Sequence, residues 1–163
     1  MNNVKNLHTV SVYTTPMSFP LNFSVHSWVE IVKNKVIERY DFWAYPGLKT
    51  AADNHGYLYK NIFPDHLGTT FSPFADIHAL QGRQVGTILF EISGDENSIA
   101  YKLYAKIHTQ AFLYPLYDTY NMIFGSNCNT YTQWLLHLVP EAGLSLPWYA
   151  WGKGVNVKAL EST

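Results

Sequence analysis

Cys128 is the only cysteine in the 163-residue chain, and it stands between two asparagines in Gly125-Ser126-Asn127-Cys128-Asn129-Thr130-Tyr131. A cysteine nucleophile needs an imidazole within hydrogen-bond reach to move its proton, and N–H donors for the oxyanion. Asn127 is a favoured N-cap residue, so the spacing predicts a helix that begins on Cys128. The unpaired N–H groups and the positive dipole end at such a position favour a thiolate. Cys128, Tyr131, Leu135, Leu138 and Val139 share one helical face, which turns the sulfur inward. His137 falls half a turn out of phase and cannot be its base. A buried cysteine can also be a small hydrophobe; the Asn-Cys-Asn setting and the helix start favour a nucleophile.

Of the seven histidines, His26 is the one set in the middle of a strong strand pattern. Between Asn22 and Val32, Phe23, Val25, Val29 and Ile31 fall on one face. Ser24, His26, Trp28, Glu30 and Val32 fall on the other. A strand gives an imidazole the rigidity that a general base requires. The turn at Lys33-Asn34-Lys35 leads into a second strand, Val36 to Ala44, and makes a hairpin.

The other elements are those that must position these two residues. Thr9 to Tyr13 alternates as a short strand, Tyr57 to Asn61 reads as another, and Gln84 to Ile92 returns to strand character. Ser93-Gly94-Asp95 offers a helix start, and Ile99, Leu103 and Ile107 recur at helical spacing up to about Gln110. After the cysteine helix, Leu146-Pro147-Trp148-Tyr149-Ala150-Trp151 is expected to fold back as an apolar lid. Leu48 to Gly82 is punctuated by Gly and Pro. It holds three Asp/His doublets, Asp53 with His55, Asp65 with His66, and Asp76 with His78. Their spacing matches no metal-ligand pattern, so neither a metal nor a cofactor is expected.

Composition narrows the classes. The chain is long enough for one domain with a core of its own, and we expect residues 1–163 to form a single domain. A net charge of −1 with no basic stripe argues against a nucleic-acid partner. Aromatics make up 16% and are spread along the chain, as core and cleft walls. No run reaches the length of a membrane span. Met1 to Phe19 lacks the apolar core of a signal peptide, and one cysteine suits a reducing compartment, so a cytoplasmic location is expected.

Tyr120-Asn121-Met122-Ile123-Phe124-Gly125-Ser126-Asn127-Cys128-Asn129-Thr130-Tyr131 resembles the cysteine motif of the PPPDE family, the desumoylating-isopeptidase-like proteins. Phe23-Ser24-Val25-His26-Ser27-Trp28-Val29-Glu30-Ile31-Val32 resembles that family's histidine strand. Leu146-Pro147-Trp148 resembles its short segment after the helix. The resemblance implies an α+β, circularly permuted papain-like fold, an antiparallel sheet whose histidine strand packs on a C-terminal cysteine helix. It implies a thiol hydrolase with Cys128 as nucleophile and His26 as general base. Its substrates would be proteins or peptides, including isopeptide bonds of ubiquitin-like conjugates. The alternatives are an inactive binding module on the same scaffold, and a lipid acyltransferase or phospholipase of the lecithin:retinol acyltransferase type. The latter's motif runs Asn-Cys-Glu-His-Phe, from which Asn129-Thr130 departs.

A base of this kind is steadied by a polar group on the neighbouring strand. A two-residue loop at Lys33-Asn34 would set Val32 opposite Lys35 and His26 opposite Asp41; a register shift of one residue would instead bring Phe42 opposite, and a shift of two Trp43. A carboxylate there would fix the imidazole tautomer. Asp41 is therefore the third expected catalytic residue.

Overall fold

The computed structural model describes residues 7–17, 22–44, 56–61, 67–68, 84–121 and 125–154. The three Asp/His doublets lie outside them. Five strands form one antiparallel sheet: β1 (His8–Pro16), β2 (Val25–Lys33), β3 (Val36–Ala44), β4 (Gly56–Lys60) and β7 (Thr87–Gly94). Their order is β4-β3-β2-β1-β7. A separate two-residue ladder joins β5 (Leu67–Gly68) to β6 (Gln84–Val85). Among the described residues, two α-helices, α1 (Ile99–Gln110) and α2 (Cys128–His137), complete the α+β arrangement.

The alternation of each strand divides the sheet into two faces of different chemistry. Val10 and Val12 of β1, Val29 and Ile31 of β2, and Tyr40 and Phe42 of β3 face the helices. There they bury Leu103 and Ile107 of α1 and Tyr131, Leu135 and Leu136 of α2. Each such aliphatic side chain contributes about 1.5–3 kcal/mol of burial. The opposite face carries Trp28, Glu30, Arg39, Asp41, Trp43 and His26, and all six are buried. A sheet with buried charges on its second face is unusual, because each charge needs a partner.

The β2–β3 turn differs from the expected one. The loop is Asn34-Lys35, with φ of 51° and 67°. Positive φ at both positions is the two-residue hairpin geometry that matches strand twist, and asparagine favours it. Lys33 therefore pairs with Val36, Val32 with Ile37 and Val29 with Tyr40. Continued, this register sets Trp43, not Asp41, across from His26. The difference is two residues, an even number, so Asp41 keeps the same face as His26.

Three further boundaries differ from the sequence pattern. β2 begins at Val25, with Asn22-Phe23 in the preceding turn. The Gln84–Ile92 run breaks at Gly86, where a Cβ would stand 2.4 Å from the Trp28 ring. α1 is capped by Ser98, whose Oγ accepts the Tyr101 N–H, rather than by the Ser93-Gly94-Asp95 turn.

Candidate active site

The two asparagines beside Cys128 have separate tasks. Asn127 Oδ1 accepts the N–H groups of Asn129 at 2.9 Å and Thr130 at 3.2 Å, and its own N–H donates to Thr130 Oγ1 at 3.2 Å. This reciprocal capping box fixes the start of α2 on Cys128. Asn129 fastens the helix to β2. Its Oδ1 accepts from Ser27 Oγ at 2.7 Å, and its Nδ2 donates to the carbonyls of Val25 at 2.8 Å and Trp151 at 2.9 Å. Val25 and Ser27 flank His26 as Asn129 flanks Cys128, so the two bonds to β2 bring base and thiol side by side. The sequence pattern gave no role to Asn129. Its signal was a polar residue two steps after the cap, on a helix turn expected to face inward.

The segment after α2 helps in a way that differs from the expected lid. Thr130 Oγ1 donates to the Gly152 carbonyl at 2.7 Å, and Gly152 packs against the Asn127 side chain. Leu146 and Ala150 are buried in the core, whereas Trp148 is 82% exposed, its ring edge-on to Tyr149 with centroids 5.7 Å apart. The docking is done by the backbone carbonyls of Trp151 and Gly152, which accept from the side chains of Asn129 and Thr130.

His26 lies beyond the end of the β2–β3 ladder, which closes with Val29 and Tyr40. From there β2 continues paired with β1, and β3 continues paired with β4. Across this opening, His26 Nε2 stands 3.0 Å from Asp41 Oδ1. The contact is out of line for a straight hydrogen bond and acts chiefly as charge against charge. The His26 ring also packs on Trp43, centroids 4.1 Å apart. The sulfur of Cys128 is within hydrogen-bond reach of the imidazole. With Nε2 turned to Asp41, Nδ1 is the nitrogen left to serve it.

His26 is 1% exposed, Asp41 1% and Cys128 4%. Burial alone would push the His26 pKa down. The negative charges of Cys128 and Asp41, with their hydrogen bonds, outweigh it and raise the value to about 9. For Asp41, burial pulls upward, but the positive charges of His26 and Arg39 win and hold the carboxyl below its ordinary value. Tyr120, buried against Phe42 at 5.3 Å, hydrogen-bonds to both the side chain and the backbone of Cys128. Burial and the Cys128 charge drive its phenol well above 10. His137 pairs with Gln133 at 2.7 Å, consistent with its exclusion as the base. His108 bonds Glu38 at 2.8 Å on the surface.

Among the described residues, no three His, Cys, Asp or Glu side chains gather as metal ligands. No helix among them is long and apolar enough to cross a membrane. A hollow of about 410 Å³ between α1 and the Leu138–Glu141 turn shares no residue with the Cys128 site.

The sequence model of a family described as "Protein of unknown function (DUF3750)" matches residues 7–155, nearly the whole chain, and the chain belongs to that family. No curated protein and no solved structure matches it.

Proposed function

We propose that this member of the DUF3750 family is a thiol hydrolase of permuted papain-like design that cleaves an amide, peptide or isopeptide, through Cys128, His26 and Asp41. One observation carries the reading: a buried imidazole held between a carboxylate at 3.0 Å and the only cysteine, at a helix start. The motif resemblance around Cys128 and His26 supports it, and the Asn129-Thr130 ending favours an amide over a lipid ester.

In this mechanism the Cys128 thiolate attacks the carbonyl carbon, and the carbonyl π electrons move onto oxygen. His26, as imidazolium, gives its Nδ1 proton to the departing amine as the C–N bond breaks. Water then attacks the thioester, His26 takes the water proton, and the C–S bond breaks to restore the thiolate. Asp41 keeps the Nε2 proton in place throughout. The Tyr120 hydroxyl is the side-chain donor at hand for the oxyanion.

The reading is tested by intact-mass labelling with electrophiles borne on ubiquitin-like proteins, on short peptides and on fatty acyl chains. The wild-type chain is expected to form an adduct with a protein or peptide probe, and Cys128→Ala none. Labelling by the acyl probe alone, or by none, would overturn it.

A further inference from the structure

Asp41 has two oxygens, and the structure uses them differently. Oδ1 faces His26 Nε2 at 3.0 Å. Oδ2 accepts from Arg39 Nε at 3.1 Å and Arg39 Nη2 at 2.8 Å. Arg39 is fully buried, two residues before Asp41 on the same face of β3. Its guanidinium lies over the Trp28 ring, 4.1 Å from the centroid. Trp28 Nε1 in turn donates to Glu30 Oε1 at 3.0 Å, and Glu30 is the register partner of Arg39. The Arg39 backbone is pinned as well: its N–H donates to Asn61 Oδ1 at 2.7 Å, and its carbonyl accepts from Asn61 N–H at 2.9 Å.

We propose that Arg39 is a positioning residue of the site, whose guanidinium turns the Asp41 carboxylate so that Oδ1 is presented to His26. The inference rests on the Cys128–His26–Asp41 reading above. A carboxylate on a short side chain can rotate about its last bond, and the terminal torsion is broad. Two N–H groups on one oxygen remove that freedom, and the flat guanidinium is the side chain suited to do so. Stacking on Trp28 fixes the guanidinium plane, so rigidity runs from the indole through Arg39 and Asp41 to the imidazole. Arg39 touches neither Cys128 nor a reacting atom in this scheme. It acts through Asp41, whose carboxyl its positive charge also helps to keep ionised.

The test uses the full chain and two readings. The first is the nitrogen NMR shift of His26 Nε2, a signal that reports whether this atom carries the proton. The second is the rate of Cys128 alkylation by iodoacetamide at neutral pH. Arg39→Gln is expected to move that signal toward a mixture of tautomers and slow alkylation about tenfold, while Arg39→Lys, which keeps a cation but loses the fork, falls between it and wild type. In an Asp41→Asn background the same Arg39 changes should leave the rate within about twofold, because residues acting through one another are not additive. A wild-type signal and rate in Arg39→Gln would overturn the inference, and so would an equal further loss in the Asp41→Asn background. If Arg39→Gln does not fold by circular dichroism, Arg39→Lys decides: wild-type values on both readings overturn the inference. Both readings are independent of turnover. Failure of every labelling probe would remove the hydrolase and leave the Arg39–Asp41–His26 coupling to be judged on its own results.

Discussion

The His26 ring lies against Trp43 with centroids 4.1 Å apart, and this contact hinders a flip of the imidazole, whose Nε2 edge faces Asp41. A ring packed on an indole cannot flip without opening the space around it, so Nε2 stays toward the carboxylate and Nδ1 toward the thiol.

Asp41→Asn is therefore expected to lower turnover by an order of magnitude or more, because the amide no longer favours the imidazolium. It should also cost stability. Arg39 would keep its charge in a buried site without that carboxylate, a change that costs about 3–5 kcal/mol when an ion pair is broken from one side. Denaturant unfolding of the variant measures the loss, and a midpoint equal to wild type would show that Arg39 does not depend on Asp41.

Stability should depend on pH through His26. Its pKa rises from 6.5 in the unfolded chain to about 9 in the fold, so the fold holds more protons between those values. The stabilisation is complete below about 6.5 and lost as pH rises through about 9. Thermal unfolding across this window should show a falling midpoint. Cys128→Ala, which removes one of the two anions, should flatten the slope. An unchanged slope there would separate His26 from the thiol.

Gly152→Ala is expected to loosen the cap of α2. The residue has φ of 92°, and an added Cβ would stand 2.2 Å from Asn127 Nδ2. The loss should be about 1–3 kcal/mol, since both a strained backbone and the cap contribute. Gly154→Ala meets nothing within 4 Å and serves as the control. Equal midpoints for the two variants would mean that Asn127 moves aside at no cost.

Asn129→Asp replaces the amide that donates to Val25 and Trp151 with an acceptor facing two carbonyls. A loss of about 1–3 kcal/mol per unsatisfied group is expected. Slower Cys128 alkylation should accompany it, because the strand and the helix part. Loss of stability at an unchanged alkylation rate would show that Asn129 holds the fold without setting the pair.

The features legible in the sequence were local ones. Asn127 as cap and Cys128 as first helical residue follow from chemistry within four positions. The faces of β2 follow from simple alternation. The β2–β3 register was not legible, because Lys35 adopts the positive φ usually left to glycine, and nothing in Lys33-Asn34-Lys35 marks which pair makes the loop. Asp41 still lies beside His26, since a shift of two residues preserves the face. Arg39 resembled any charged strand residue, and its burial depends on Trp28 and Glu30 from the neighbouring strand. Trp148 departs from the expected lid because an apolar run does not say which members turn inward; Leu146 and Ala150 do.

The hairpin that carries His26 and Asp41 is closed by a two-residue turn, whereas Ser27 and Asn129, the neighbours of base and thiol, are 102 positions apart. Short-range pairings close sooner than distant ones. The expected order of assembly therefore has the imidazole and its carboxylate meeting first, as a hairpin. The sulfur arrives late, when almost all of the domain is in place.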